Sequence, residues 1–137
     1  MTDTLDEDRW LQDFVRGHGG VAGSMHRVEG GELVLRAAFN IPEPVLKVTS
    51  RIPRGKGMAG LALERNAPVQ TCNLKTDTSG DVRPGARAVD AKGAVALPVR
   101  DGAGQVRAVV GIAYPDEREL SEAVLAELLA AASRLPS

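Results

Sequence analysis

The run Ile52-Pro53-Arg54-Gly55-Lys56-Gly57-Met58-Ala59-Gly60-Leu61-Ala62 decides how this chain is read. Pro53 interrupts any strand before it, Gly55, Gly57 and Gly60 free the backbone for a tight turn, and Met58 to Arg65 then reads as a short helix closed by Asn66 and Pro68. The glycines also match the G-x-G-x-x-G pattern of a dinucleotide fingerprint, but the context is wrong for one. Pro53 and Arg54 stand where a clean parallel strand should be, the helix is short, and no βαβ unit surrounds it. The run therefore reads as a structural turn whose small residues let a helix sit close against a sheet. Its free amides and Lys56 keep open the attraction of an anion.

Downstream, Val69 to Cys72 reads as a short strand, and Asn73 to Lys92 is polar, glycine-bearing and without a sustained period. A loop of that length in a compact domain is usually functional or mobile. Val95, Leu97 and Val99 then alternate, Asp101-Gly102-Ala103-Gly104 makes a turn, and Val106 to Tyr114 returns as the most apolar strand of the chain. This hairpin, Gly93 to Tyr114, is expected at the centre of the sheet. Ser121 is a good N-cap, flanked by Leu120 and Leu125 at the spacing of a hydrophobic staple. A closing helix follows, with Val124, Leu125, Leu128, Leu129, Ala132 and Leu135 on one face until Pro136.

Upstream, Thr4 and Glu7 have capping-box spacing, and Leu11, Phe14 and Val15 share a face with Trp10 beside it, which predicts a first helix over Leu5 to Arg16 that stops at Gly17. Val21 to Val28 and Leu33 to Asn40 read as strands of a hairpin around Glu29-Gly30-Gly31-Glu32. Pro42 and Pro44 end the second strand, and a connecting region is expected up to Pro53. The order helix, hairpin, short helices, hairpin, helix describes an α+β fold, an antiparallel sheet with helices on its faces. Neither an internal repeat nor a domain linker is visible, so the 137 residues are expected to form a single domain that hides roughly 68% of its unfolded surface.

Composition removes several classes of function. The formal net charge is −1 and the pI is about 6.1, so no sequence-wide basic field draws nucleic acid or an anionic membrane. One Trp, one Tyr and two Phe offer few platforms for stacking bases. The single cysteine, Cys72, excludes an internal disulfide, and with only two histidines it cannot build a structural zinc site. His18, in a glycine-rich turn, and His26, on a strand, have no third ligand near them and read as solvated or half-buried imidazoles. No nucleophile-elbow context is present, so no catalytic residue and no cofactor are expected. The acidic amino terminus lacks a secretory pattern and no window approaches a membrane span, which together with the lone cysteine points to a soluble, unprocessed, cytoplasmic chain.

Five pieces in order carry a family resemblance. Ser24-Met25-His26-Arg27-Val28, Leu33-Val34-Leu35-Arg36-Ala37-Ala38, Ile52 to Gly60, Ala96-Leu97-Pro98-Val99 and Val109-Val110-Gly111-Ile112-Ala113 together resemble a GAF domain from Leu11 to about Leu135. The resemblance implies a GAF/PAS-like central antiparallel β-sheet, with N- and C-terminal helices packed on one face and short helices and loops covering the other. It implies a pocket between one face and the loops over it, here Phe39 to Met58 and a lid from Cys72 to Lys92. It also implies a small-molecule-sensing or regulatory module rather than an enzyme, acting through terminal helices that pair in a homodimer. The family does not name a ligand.

The pocket candidates are Arg36, Phe39, Met58, Leu61, Cys72, Leu74, Arg83 and Arg87. Arg83 and Arg87 flank Pro84-Gly85-Ala86 in the lid, and with Arg36, Arg51, Arg54 and Lys56 they are suited to a carboxylate or phosphate. The plainer readings are a solvated loop for the arginines and core packing for Phe39, Met58, Leu61 and Leu74. Cyclic-nucleotide and bilin binding lose their motifs here: the phenylalanines, Phe14 and Phe39, lack a downstream Asp-Glu pair, and Cys72 has no neighbouring histidine. The free methionine sulfoxide reductases of the GAF fold use several cysteines. This chain places Met58 and Ala59 in the glycine turn and has no second thiol to resolve a sulfenic acid. Cys72 then reads as a small buried hydrophobe, with a redox role as the alternative. The partner is an unidentified small molecule or protein, and a ligand-free scaffold with a collapsed pocket is the main competing reading, because alanines either make room or permit close packing.

Overall fold

The computed structural model describes residues 4–74 and 91–136, with side chains from residue 6 onward. Arg83 and Arg87 lie outside the described residues. The elements are α1 (Thr4–Gly17), β1 (Ala22–Glu29), β2 (Glu32–Phe39), α2 (Glu43–Thr49), β3 (Arg51–Ile52), α3 (Gly57–Arg65), β4 (Val69–Thr71), β5 (Ala94–Arg100), β6 (Val106–Ala113) and α4 (Glu122–Ala132).

The strands form one six-stranded sheet in the order β3-β2-β1-β6-β5-β4, with every pairing antiparallel. The two hairpins join through β1 and β6, so the centre is β1–β6 rather than the β5–β6 hairpin alone. The edges, β3 and β4, are two and three residues long, which leaves little unpaired backbone. Among the described residues β4 pairs with Ala94 to Ala96 and Pro98 has a strand neighbour on one side only, so its missing N–H is tolerated there.

On one face α1 packs against β1 and β2 and α4 against β5. Leu11, Phe14 and Val15 of α1 and Leu128, Ala132 and Leu135 from the end of the chain meet Met25, Leu97, Val99 and Val110 of the sheet in the largest core. Ser121 caps α4, its Oγ accepting from the Val124 N–H at 3.2 Å. The opposite face carries α2, α3 and two smaller apolar clusters, one around Ala22, Val45, Leu74 and Ala113, the other around Leu33, Ile52, Leu63 and Val109.

The connection expected between Pro42 and Pro53 is not irregular. Pro42 is the N-cap of α2 and Pro44 lies in its first turn, where a fixed φ suits a helix and a missing N–H costs nothing. The same residues that stop β2 start α2.

The glycine run behaves as a structural turn. Gly55 and Gly57 have φ of +83° and +66°, and a Cβ on Gly60 would fall 2.5 Å from the Pro53 carbonyl oxygen. The Gly55 N–H donates to the Gly60 carbonyl at 2.9 Å, closing the turn on itself.

Two β-bulges tie the terminal helices to the sheet. Between Met25 and His26 the register with β2 skips Arg36, and between Val99 and Arg100 the register with β6 skips Arg107. The Arg36 Nη2 donates to Glu7 Oε1 at 3.3 Å and the Arg27 Nε to Glu7 Oε2 at 3.0 Å. Arg27 also donates to the Pro136 carbonyl at 2.7 Å, and Arg107 to the Leu135 carbonyl at 2.6 Å. Glu7 is fully buried, so its charge is stable there only because two guanidiniums reach it.

Candidate functional site

The site follows from the register of the three inner strands. Ala22 of β1 lies opposite Ala113 of β6, which lies opposite Ala94 of β5; two residues along, Ser24, Gly111 and Ala96 form the next such row. Residues two apart on a strand share a face, so these six small residues form a shallow floor on the side away from α1 and α4. The row between them, Gly23, Ile112 and Val95, turns Ile112 and Val95 into the helix-face core.

Above the floor lies a cleft of about 130 Å³. Met58 and Ala59 of α3 form its wall, and Ile41 and Leu74 its rim. The glycine turn sets the wall, since the close approach of Gly60 to Pro53 fixes where α3 starts. Leu74 is held at the rim by its N–H, which donates to the Lys92 carbonyl at 2.7 Å. Lys92 in turn donates its own N–H to Tyr114 at 2.8 Å, linking the rim to the end of β6.

The lining is almost wholly apolar. Among the described residues, Ser24 contributes the only side-chain hydroxyl and no charged side chain takes part. A cavity of this order, when apolar, holds a body of about six heavy atoms, the size of a benzene ring.

Of the residues singled out from the sequence, Met58 and Leu74 meet in this cleft. Arg36 does not: the bulge turns it to Glu7 beside α1. Phe39 also packs into the helix-face core, with the Arg16 guanidinium 5.0 Å above its ring. Leu61 packs against the cluster of Leu33, Ile52 and Val109. Cys72 is exposed just beyond the end of β4 at Thr71 rather than buried. The sequence reading passed over Ala22, Ser24, Ile41, Ala94 and Gly111. Their signal was the recurrence of small residues at alternate positions in three strands.

His26 lies on the same face and differs from its expected half-buried state. It is 2% exposed, and its Nε2 lies 2.8 Å from the Thr49 carbonyl at the end of α2. Since a carbonyl only accepts, Nε2 carries the proton, and Nδ1 is a buried bare nitrogen with no partner among the described residues. Burial holds the imidazole below its ordinary pKa, against the raising effect of the Thr49 bond. Among the described residues no group of three or more His, Cys, Asp or Glu could hold a metal ion. No helix of theirs is long and apolar enough to cross a membrane.

The family model described as GAF domain matches residues 8–134. The chain belongs to the GAF domain family, whose members are commonly regulatory or sensory. Among solved structures it is similar to the GAF domain of a phosphoenolpyruvate-protein phosphotransferase from Acinetobacter, at 15% identity over 98% of this chain and 81% of that one, with a TM-score of 0.74. It is similar to the GAF domain region of a putative membrane protein from Geobacter sulfurreducens PCA, at 14% identity over 96% and 89%, with a TM-score of 0.76. It is also similar to a type II free methionine-R-sulfoxide reductase from Thermoplasma acidophilum, at 17% identity over 93% and 87%, with a TM-score of 0.70. At such identities these likenesses establish the fold. No curated protein matches the sequence.

Proposed function

We propose that this GAF domain is a non-catalytic sensory or regulatory module that binds a small, uncharged, mainly apolar molecule in the cleft between the β1-β6-β5 floor and α3. The observation that carries the reading is the double row of small residues, Ala22-Ala113-Ala94 and Ser24-Gly111-Ala96, which leaves open space where larger side chains would close a core. Ser24 supplies a hydroxyl for one hydrogen bond, so an alcohol, ketone or amide with a short hydrocarbon body fits better than a carboxylate or phosphate.

Occupancy would reach the rest of the chain through Leu74 and Lys92, whose backbone bonds lead to β6, and through β5 to α4. Association of two copies through the terminal helices is the output proposed, with Val124, 38% exposed on α4, as its apolar contact. Redox chemistry through Cys72 has less support, because the chain's single thiol stands outside the cleft lining.

Native mass spectrometry of the purified protein, followed by a thermal-shift screen of short alcohols, ketones, amides, carboxylates and phosphates, tests the reading. A retained or saturable neutral molecule that raises the melting temperature and shifts the mass in light scattering is expected. An empty protein indifferent to the whole panel would favour the scaffold reading instead.

A further inference from the structure

A second cavity, of about 200 Å³, lies at another place on the fold, between the β1–β2 turn, the turn before α3 and the start of β6. Its apolar part is Val28, Leu63 and Val106, and its polar part is Arg54, Glu64, Gln105 and Asn66, the last already bonded to Arg100 and to the Gly104 carbonyl. Arg54 and Glu64 carry opposite charges into the same small volume, yet neither has a hydrogen-bond or ion-pair partner among the described residues. The Gln105 backbone is engaged by Asp101 while its side-chain amide is left over.

The placement of the carboxylate is specific. Glu64 Oε2 lies 2.8 Å from where a Cβ on Gly55 would stand, so the carboxylate rests beside the turn, whose positive φ of +83° at position 55 favours glycine. Gly55 belongs to the turn that also presents Arg54, so one local structure sets both charges.

We propose that this cavity binds a small zwitterion of the α-amino acid type. Arg54 takes the carboxylate, to which a planar guanidinium can donate two parallel hydrogen bonds, and Glu64 accepts from the ammonium. Val28, Leu63 and Val106 receive a short aliphatic side chain, and Gln105 is placed to hydrogen-bond either pole. The volume is below the range of drug-sized pockets, which fits a ligand of amino-acid size. The site shares no lining residue with the apolar cleft, so it stands or falls separately from the function proposed above.

The experiment is a titration of the ¹⁵N-labelled protein with L-valine, followed by amide chemical shifts. Isovalerate, which lacks the ammonium, and isobutylamine, which lacks the carboxylate, serve as half-analogues. Saturable shifts are expected at Gly31, Gly55, Gln105 and Val106, and not at Ala22, Ala96 or Gly111. Each half-analogue, and each of Arg54→Gln and Glu64→Gln, should weaken binding by about tenfold or more, the loss expected for one charge-assisted hydrogen bond. Both substituted positions are exposed, and the dispersion of each variant's spectrum reports its folding directly. No saturable shift at tens of millimolar valine would overturn the proposal. So would equal binding of the half-analogues, or binding unchanged in both variants.

Discussion

The two faces of the sheet are built on opposite plans. The helix face buries Leu11, Phe14, Val15, Leu97, Val99, Val110 and Leu128 in one continuous core and anchors the terminal segments with arginines from the bulges at Arg36 and Arg107. The other face divides its apolar residues between two smaller clusters and leaves a cleft over alanine, serine and glycine. Large side chains close a space and small ones keep it open, so one face is a closed core while the other retains a cleft.

The comparison is broken most severely by truncation on the helix face. Leu97, fully buried there, should cost about 3–4 kcal/mol when changed to alanine, because the packed surroundings cannot collapse into the void. Met58→Ala, on the cleft wall, should cost about half of that or less, since its neighbours already border open space. Urea unfolding of the two variants gives the contrast, and equal losses would mean that the two faces are packed alike.

Next in size is Glu7→Gln, which keeps the shape but leaves the buried ends of Arg27 and Arg36 facing a neutral amide. A loss of about 2–3 kcal/mol is expected, reduced from the fully buried case by the partial exposure of both arginines. Hydrogen exchange should show α1 loosening more than α3.

A smaller effect is pH-dependent and belongs to the cleft face. The folded-state pKa of His26 is depressed by burial, so the unfolded chain binds the proton more readily. The stability due to the neutral imidazole is fully present above the unfolded value of about 6.5 and declines as pH falls from there through the folded pKa. Protonation would place an N–H on buried Nδ1 with no acceptor among the described residues. Urea midpoints between pH 8 and pH 5 should fall more steeply for the natural protein than for His26→Asn. Parallel curves would show that His26 does not drive the decline.

Much of the frame was legible because it rests on local signals. The Ser121 cap, the Asp101 to Gly104 turn and the alternation of Val95, Leu97 and Val99 each depend on near neighbours, and each element stands within a residue or two of its expected place. What escaped depends on residues far apart in sequence. Arg36 reads as a pocket charge because a guanidinium suits an anionic ligand, whereas a bulge sends it to Glu7, 29 residues away. Glu7 reads from its spacing as the capping-box partner of Thr4, whereas its buried carboxylate pairs with Arg27 and Arg36. Helix α2 was hidden because proline is both a stop for strands and a start for helices. The small residues of the cleft were visible one by one, but only the register of β1 on β6 and of β6 on β5 brings them into rows.

If the small-residue floor is an open binding surface, filling it abolishes binding. Ala59→Leu adds bulk from the cleft wall with a good helix former and should change stability by no more than about 1 kcal/mol. Methyl NMR of the natural protein and this variant, titrated with benzene and isobutanol, is the measurement to make. The account predicts saturable shifts at Met58, Leu74, Ala96 and Ala113 in the natural protein, none at Leu97 or Leu128, and loss of the response in Ala59→Leu. A natural protein whose cleft methyls do not respond, or a variant that responds equally well, would contradict it.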